Sequence, residues 1–163
     1  MSTQHNYKLA VNWTGNQGTG TSNYKEFERS YTIKIENKAD ILGSSDPEFR
    51  GDNTKHNPEE LLLASVSSCH MLWYLHFCSE AKIIVTHYVD DATAILEETE
   101  NGNGKFTSIT LNPTITITEK SMVEQATELH KKANEFCFVA NSLNLKVDHR
   151  PVVNVSEVDK IQL

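Results

Sequence analysis

Residues 57–80 read NPEELLLASVSSCHMLWYLHFCSE, and this stretch decides the fold. It opens with the signals of a helix start: Asn57 suits the N-cap, and Pro58 suits the first helical position. Glu59 and Glu60 in the first turn complement the helix dipole, and Glu60 is spaced to complete a capping box. The pattern predicts one long helix that runs to about Glu80.

The predicted helix is apolar on nearly every side. Its apolar residues are Leu61, Leu62, Leu63, Val66, Met71, Leu72, Trp73, Leu75 and Phe77. One sheet face in a chain of 163 residues can hardly cover such a helix, so a second subunit is the economical cover. We therefore predict an obligate homodimer.

A membrane role is not predicted, although residues 61–79 carry no formal charge and approach the minimum length of a spanning helix. Ser65, Ser67, Ser68, His70 and Tyr74 would all need hydrogen-bond partners in lipid. A helix buried inside a soluble protein satisfies them better.

Composition bounds the remaining possibilities. A chain of 163 residues with 38% hydrophobic content is sufficient for a real core, and we predict a single domain over residues 1–163. The net charge is −7 and no basic run is longer than Lys131–Lys132, which argues against a nucleic-acid partner. The opening MSTQHNYK has no apolar signal core, so we expect a cytoplasmic protein whose three cysteines are reduced at rest.

The other elements follow from alternation and turn signals. Residues 7–13 and 31–35 predict a β-hairpin, and the polar residues 43–56 predict a functional loop. Three stretches rich in β-branched residues predict an antiparallel meander with a break at Pro113, and a last strand is predicted around residues 151–155. The meander stretches are 83–89, 92–98 and 106–118.

A second helix is predicted after the meander. Ser121 and Glu124 have the spacing of a capping box. Apolar residues then recur at threes and fours, which places Cys137 on the inward face of this helix. The order of strands and helices indicates an α+β domain in which antiparallel sheet covers two helices.

Two cysteines stand in unusual surroundings for thiols that merely fill a core. Cys69 follows Ser67 and Ser68, and Cys137 lies between Phe136 and Phe138. In a reducing compartment such a pair favours redox chemistry over structural crosslinking, whereas Cys78 at the helix end is interpreted as structural.

The segments NPEELLLASVSSCH and ANEFCFVANSL resemble the OsmC/Ohr family of thiol-dependent peroxidases, over most of the chain. PEFRGD before the helix and CHMLWYLHFC within it are more similar to the broad OsmC-like branch than to the organic hydroperoxide resistance branch. The resemblance implies an α+β fold with antiparallel sheets wrapped around two long central helices in an intertwined homodimer, with the site at the subunit interface.

The resemblance also implies a set of roles. Cys69 matches the peroxidatic cysteine, Cys137 matches the resolving cysteine, and Glu59 matches a carboxylate that holds an arginine toward the thiolate. That arginine is either Arg50, in the loop before the helix, or Arg29, at the start of the second strand; we favour Arg50. The implied reductant is an external dithiol, lipoyl-like or thioredoxin-like, and no cofactor or metal is expected.

The chemistry supports these roles independently. Free cysteine is largely protonated at neutral pH, and ten residues at about 1.5 Å each put Cys69 roughly 15 Å beyond the helix N-terminus, too far for the dipole to stabilise a thiolate. An arginine is the suitable cation, which leaves Glu59 as a positioning group. A Cys69–Cys137 disulfide would require the two Cα atoms within about 7 Å.

Two other function classes stay open at this stage. The chain is alternatively a binder of a small apolar ligand in which the thiols are incidental. It is alternatively a thiol-dependent acyl hydrolase, which would need a histidine in contact with the Cys69 sulfur and an oxyanion hole.

Overall fold

The computed structural model of this protein describes residues 3–156. Contacts divide the chain into two compact units, Met1–Leu61 and Leu62–Leu163, and each unit is described by itself. The single domain over residues 1–163 stays a prediction.

The N-terminal unit contains a three-stranded antiparallel sheet. Its strands are β1 (Ala10–Trp13), β2 (Tyr31–Lys34) and β3 (Ile41–Gly43), in spatial order β1-β2-β3. Trp13 pairs with Tyr31 at one end of the first ladder and Ala10 pairs with Lys34 at the other. The predicted hairpin is therefore confirmed, with shorter strands than the sequence pattern suggested.

The predicted loop over residues 43–56 is held by local hydrogen bonds around a 3₁₀ turn, Pro47–Phe49. The Asp46 carboxylate accepts the backbone N–H of Glu48 at 2.9 Å and the side-chain amide of Asn57 at 3.3 Å. Gly51 follows the turn, and a Cβ there would collide with the Ser45 carbonyl. The loop is thus tied to the N-cap of the next helix.

Helix α1 spans Pro58–Glu80, as the sequence predicts. Its capping box is complete: Glu60 N–H donates to the Asn57 side chain at 2.7 Å, and Asn57 N–H donates to the Glu60 carboxylate at 3.1 Å. The helix ends where Lys82 takes a left-handed conformation and Ile83 N–H bonds back to the Cys78 carbonyl.

The C-terminal unit contains two three-stranded sheets, ordered β4-β7-β9 and β5-β6-β8. Their strands are β4 (Val85–Asp90), β5 (Thr93–Glu98), β6 (Gly104–Leu111), β7 (Pro113–Ile117), β8 (Val147–His149) and β9 (Val152–Val155). β4–β7 and β5–β6 are antiparallel, whereas β6–β8 and β7–β9 are parallel.

Two expectations about the sheets are wrong. The strands do not form a simple meander, because β4 pairs with β7 and not with β5, and the sheets are not all antiparallel. The chain changes sheet at Asn112, directly before the predicted break at Pro113. Asp90 stabilises this crossing by accepting the Asn112 backbone N–H at 2.7 Å. Strand β8 was not predicted.

Helix α2 spans Val123–Phe136 and a short helix α3 spans Phe138–Asn141. The predicted capping box at Ser121 is wrong, because Ser121 lies in a 3₁₀ turn and Met122 is the N-cap without a side-chain hydrogen bond. Buried Ala126, His130 and Ala133 on its inner face hold α2 in place instead.

The core of the C-terminal unit consists of two clusters that share α1. One groups residues of α1, α2 and the β4-β7-β9 sheet: Tyr74, Phe77, Cys78, Ile83, Ile115, Ile117, Ala126 and Ala133. The other groups α1 with the β5-β6-β8 sheet: Val66, Ile109, Leu111 and Val147. Both sheets therefore pack on a single stripe of α1.

Helix α1 is only partly covered by the described residues. Only 28% of its most apolar stretch is buried by the described residues, and Leu72 is 63% exposed. By length and composition alone this helix could cross a membrane, but the core helix of a soluble protein passes the same test. The buried polar side chain of His70 on this helix favours the second interpretation.

Candidate functional site

The two candidate thiols differ in burial and in local structure. Cys69 is half-buried on α1. Cys137 is fully buried and does not lie within a helix, contrary to the prediction: its backbone is extended (φ −68°, ψ 104°), and it ends α2 and begins α3. No Gly, Pro or usual N-cap residue marks this break, so the sequence pattern continued the helix through it.

The Cys137 sulfur replaces the usual oxygen as the cap of α3. It accepts the backbone N–H of Ala140 at 3.4 Å, and its S–H points to the Val66 carbonyl at 4.0 Å. Cys69 is near enough to raise the pKa of the Cys137 thiol. The two thiols are therefore neighbours, and all three cysteines of the protein are free.

The protonation of Cys137 follows from this environment. Burial, and then the hydrogen bond with Cys69, raise the pKa of the Cys137 thiol to about 11, although the backbone N–H groups of Ala140 and Val139 oppose this. Cys137 is consequently a neutral thiol at physiological pH. Cys78 is also buried, in the core beside Tyr74, and burial raises the pKa of its thiol.

The two candidate arginines belong to the N-terminal unit. The Arg29 guanidinium donates to the carbonyls of Phe27 and Tyr24 and lies 4.1 Å and 4.4 Å from the centres of their rings. Arg50 has a left-handed backbone (φ 66°) and donates to the Lys25 carbonyl at 3.4 Å. Local backbone groups thus hold Arg29 more firmly than Arg50.

The candidate carboxylate Glu59 is half-buried in the first turn of α1. Burial raises the pKa of Tyr31, and the Glu59 charge raises it further, so the two side chains are near each other. Within residues 3–156 no ion pair joins Glu59 to Arg29 or Arg50. The assignment of a Glu59–arginine pair stays a prediction.

A group of histidines that the sequence reasoning did not assemble lies in the C-terminal unit. His70 Nε2 and His130 Nδ1 are 2.9 Å apart, both rings are fully buried, and His149 stands 5.7 Å from His70 by ring centres. The ring of Tyr74 stacks on His130 at 3.8 Å. The sequence indicates that His130 is buried, because it is spaced four residues after Ala126 and three before Ala133, on one face of α2.

The histidine pair is kept neutral by its surroundings. Burial lowers the pKa of His70 to about 4 and that of His130 to about 3, and the neighbouring imidazoles add to the effect. Within the described part of the chain, no three His, Cys, Asp or Glu side chains converge as metal ligands, and no hydrogen bond joins a histidine to the Cys69 sulfur. The contact that an acyl hydrolase requires is thus not seen among these residues.

Comparison with known proteins gives concordant results. A family model described as OsmC-like protein matches residues 51–150. An OsmC-like protein of unknown function from Vibrio cholerae superposes with a TM-score of 0.82 at 26% identity, over 91% of this chain and 100% of its own. No curated protein matches the sequence.

Two more distant solved structures share the fold. An organic hydroperoxide resistance protein from Elizabethkingia anophelis has a TM-score of 0.65 at 20% identity, over 94% of this chain and 100% of its own. One from Legionella pneumophila has a TM-score of 0.62 at 19% identity, over 93% and 100%. At these identities the likeness shows the fold alone.

Acid is expected to destabilise the protein through the histidine pair. Histidine in the unfolded chain has a pKa near 6.5, above the values for buried His70 and His130. The contribution of these neutral rings to the free energy of unfolding is therefore fully present above about pH 6.5. It is lost as the pH falls toward about 4. Each imidazole should contribute a slope of up to about 1.4 kcal/mol per pH unit in the free energy of unfolding.

Urea denaturation between pH 7 and pH 4.5 measures this slope. His130→Phe should reduce it, because one imidazole with a lowered pKa is removed, whereas His87→Gln, at an exposed position on β4, should leave it unchanged. An equal pH slope in His130→Phe and the parent protein would contradict the assignment.

Proposed function

The chain belongs to the OsmC-like family, and from this premise we propose that it is a thiol-dependent peroxidase that reduces organic hydroperoxides. The proposal is carried by the proximity of the half-buried Cys69 to the buried, protonated Cys137. Cys69 is accessible to a substrate, and Cys137 is the buried thiol near it. The relatives from Elizabethkingia anophelis and Legionella pneumophila are organic hydroperoxide resistance proteins, which supports the same chemistry for this chain.

The first step is attack by the Cys69 thiolate on the distal oxygen of the hydroperoxide. The O–O bond breaks, Cys69 becomes a sulfenic acid, and the alkoxide leaves as an alcohol after taking a proton. The fully buried Cys137 is a poor first nucleophile, because it is shielded from solvent and remains a thiol. This asymmetry favours Cys69 as the peroxidatic residue.

The second step joins the two sulfurs. Cys137 attacks the sulfenic sulfur, its proton leaves with the hydroxyl group as water, and a Cys69–Cys137 disulfide forms. The proximity of the two thiols supports this step, because Cys69 is near enough to raise the pKa of Cys137. An external dithiol, lipoyl-like or thioredoxin-like, then reduces the disulfide to two thiols and is itself oxidised.

The thiolate of the first step requires a cation, and we propose Arg50 or Arg29 for this role, with Glu59 as the group that orients it. Arg50 is the better candidate, because its guanidinium makes one long hydrogen bond of 3.4 Å, whereas the Arg29 guanidinium donates to two carbonyls and stacks on two rings. We also propose a cytoplasmic location, where the thiols would be reduced at rest.

The proposed assembly is a homodimer. Its support is the uncovered apolar surface of α1, where Leu72 is 63% exposed. A second copy of the chain would cover this surface by a two-fold interface.

The thiol roles are tested by adding one equivalent of an alkyl hydroperoxide without reductant and mapping the linked sulfurs by mass spectrometry. We expect a Cys69–Cys137 disulfide in the parent protein. With one equivalent, Cys137→Ser should stop at the Cys69 sulfenic acid, and a second equivalent of hydroperoxide should oxidise it to the sulfinic acid, whereas Cys69→Ser should not react. Cys78→Ser is the matched control and should form the same disulfide. Sustained turnover by Cys69→Ser, measured with excess hydroperoxide and a dithiol, would overturn the proposal.

Removal of the activating charge is expected to slow the reaction of Cys69 with hydroperoxide. Arg50→Gln should lower the single-turnover rate constant at pH 7 by at least about tenfold, because a hydrogen bond to a charged group is lost. The same measurement on Arg29→Gln tests whether Arg29 is the activating arginine. Arg150→Gln, at an exposed position directly after β8, serves as the control. Unchanged rates in both Arg50→Gln and Arg29→Gln would exclude arginine activation.

Dilution tests the dimer. Native mass spectrometry of the parent protein at nanomolar concentration should detect a dimer. Leu72→Glu should lower the fraction of dimer and produce unfolded or aggregated protein, because it places a charge in the interface. Leu72→Met keeps the apolar character and should remain dimeric. A stable folded monomer of the parent protein at this concentration would be the contrary result.

A further inference from the structure

A buried hydrogen bond joins α1 to α2 close to the two thiols. His70 Nε2 on α1 and His130 Nδ1 on α2 are 2.9 Å apart, their rings are inclined by 11°, and both side chains are fully buried. Within residues 3–156, no other side-chain hydrogen bond runs from α1 to α2. The histidine pair is therefore the directional contact between these two helices.

This bond is also the one polar contact that orients the two rings. His70 Nδ1 and His130 Nε2 are buried, and neither has a hydrogen-bond partner among the described residues. The ring of Tyr74 stacks on His130 at 3.8 Å, and His149 on β8 lies 5.7 Å from His70 by ring centres. These neighbours restrict the ring planes, and the hydrogen bond aligns the two rings with each other.

The other buried residues of α2 do not fix its position along α1. They are two alanines, Ala126 and Ala133. Their methyl groups contribute apolar area, but apolar contact has no directional requirement. A helix held only by such small side chains would shift along its axis, or turn about it, at a small cost in free energy. His130 supplies the register that the alanines lack.

The same pairing of helices places both sulfurs. Cys69 directly precedes His70 in α1, so their Cα atoms are about 3.8 Å apart. Cys137 comes seven residues after His130, which is close to two helical turns and places both on one face of α2. The Cys137 sulfur lies 4.0 Å from the carbonyl oxygen of Val66, one turn before His70 on α1. The histidine pair is thus the hydrogen bond that sets where Cys137 meets α1.

Disulfide formation is sensitive to this register. A bond between two cysteines requires Cα atoms about 4.4–6.8 Å apart and a restricted dihedral angle about the sulfurs. A slip of α2 by one residue would move Cys137 by about 1.5 Å along the axis and turn it by about 100°. A misplacement of about 1 Å is enough to slow a reaction by about a hundredfold. The resolving step therefore depends on whatever prevents such a slip.

We propose that His70 and His130 are positioning residues that hold Cys137 in register with Cys69 for the step that forms the disulfide. This inference rests on the proposed peroxidase function, and the histidines do not touch the reacting atoms. In that step the Cys137 sulfur bonds to the sulfenic sulfur of Cys69, the S–O bond breaks, and the hydroxyl group leaves as water with the thiol proton. The earlier attack on the hydroperoxide uses Cys69 alone, so it should not depend on the register of α2.

Single-turnover kinetics on the full chain separate the two steps, with one equivalent of cumene hydroperoxide and no reductant. Loss of hydroperoxide gives the rate constant of the first step. Quenching with an alkylating agent, followed by mass spectrometry, gives the rate constant of disulfide formation. His130→Phe keeps a ring beside Tyr74 but removes the hydrogen bond. It should slow disulfide formation on the order of a hundredfold and leave the rate of the first step unchanged.

A conservative variant should restore the rate. His130→Asn places an amide atom near the position of Nδ1, so it can bond to His70 Nε2 again and should form the disulfide at nearly the parent rate. Thr127→Val is the matched control on α2, because it removes a hydrogen bond of 2.8 Å to the Val123 carbonyl within the helix, and it should leave both steps unchanged. Equal rates of disulfide formation in His130→Phe and the parent protein would overturn the positioning role.

A double variant distinguishes positioning from a general contribution to stability. His70→Leu combined with His130→Leu replaces both partners by apolar groups, so neither ring leaves the other without its hydrogen bond, and the fold should be retained. Positioning predicts slow disulfide formation in this double variant, whereas a role limited to stability predicts the parent rate. The double variant also decides the question if His130→Phe does not fold.

Equilibrium exchange with glutathione separates this inference from the proposed function. Oxidised glutathione is reduced as the Cys69–Cys137 disulfide forms, so no hydroperoxide is needed. The effective molarity of the two thiols should fall by about tenfold or more in the double variant. If it falls while the parent protein consumes no hydroperoxide, the peroxidase function fails and the positioning role stands. If hydroperoxide is consumed but the effective molarity and the rate of disulfide formation are equal in both proteins, the positioning role fails and the function stands.

Discussion

Burial of one stripe of α1 is the constraint on which the candidate site depends. Val66, His70 and Tyr74 are spaced four residues apart, and all three are fully buried against the other elements of the C-terminal unit. This packing brings the Val66 carbonyl to the Cys137 sulfur and His130 to His70. Because interiors are densely packed, the same register that buries His70 leaves the adjacent Cys69 at the edge of the core.

The difference between the two thiols has the same origin. Cys137 lies at the junction of two helices, and its sulfur satisfies a backbone N–H that would otherwise lack a partner. Burial keeps it protonated, while its neighbour Cys69 stays within reach of solvent. Two identical side chains thus acquire different chemical properties from position alone, which is the basis of the proposed division into an attacking and a resolving sulfur.

Much of the local structure could be predicted from the sequence, because its causes are local. The capping box at Asn57, the length of α1 and the break before Pro113 all depend on neighbouring residues. Ser121 shows the limit of such reasoning: it has the spacing of a cap, but the chain enters α2 through a 3₁₀ turn and leaves it unused. The break at Cys137 was missed for the opposite reason, since a thiol is not a customary cap.

The sequence by itself determined the central helix, the residue types at the candidate site and the family to which the chain is similar. Only the tertiary structure decided that β4 pairs with β7, that β8 and β9 join their sheets in parallel, and that His70 meets His130. It also decided that Cys69 and Cys137, which are 68 residues apart in the chain, are near each other. These pairings join segments far apart in the chain, and their partners are selected by the surfaces that remain after the core has packed, which no local pattern specifies.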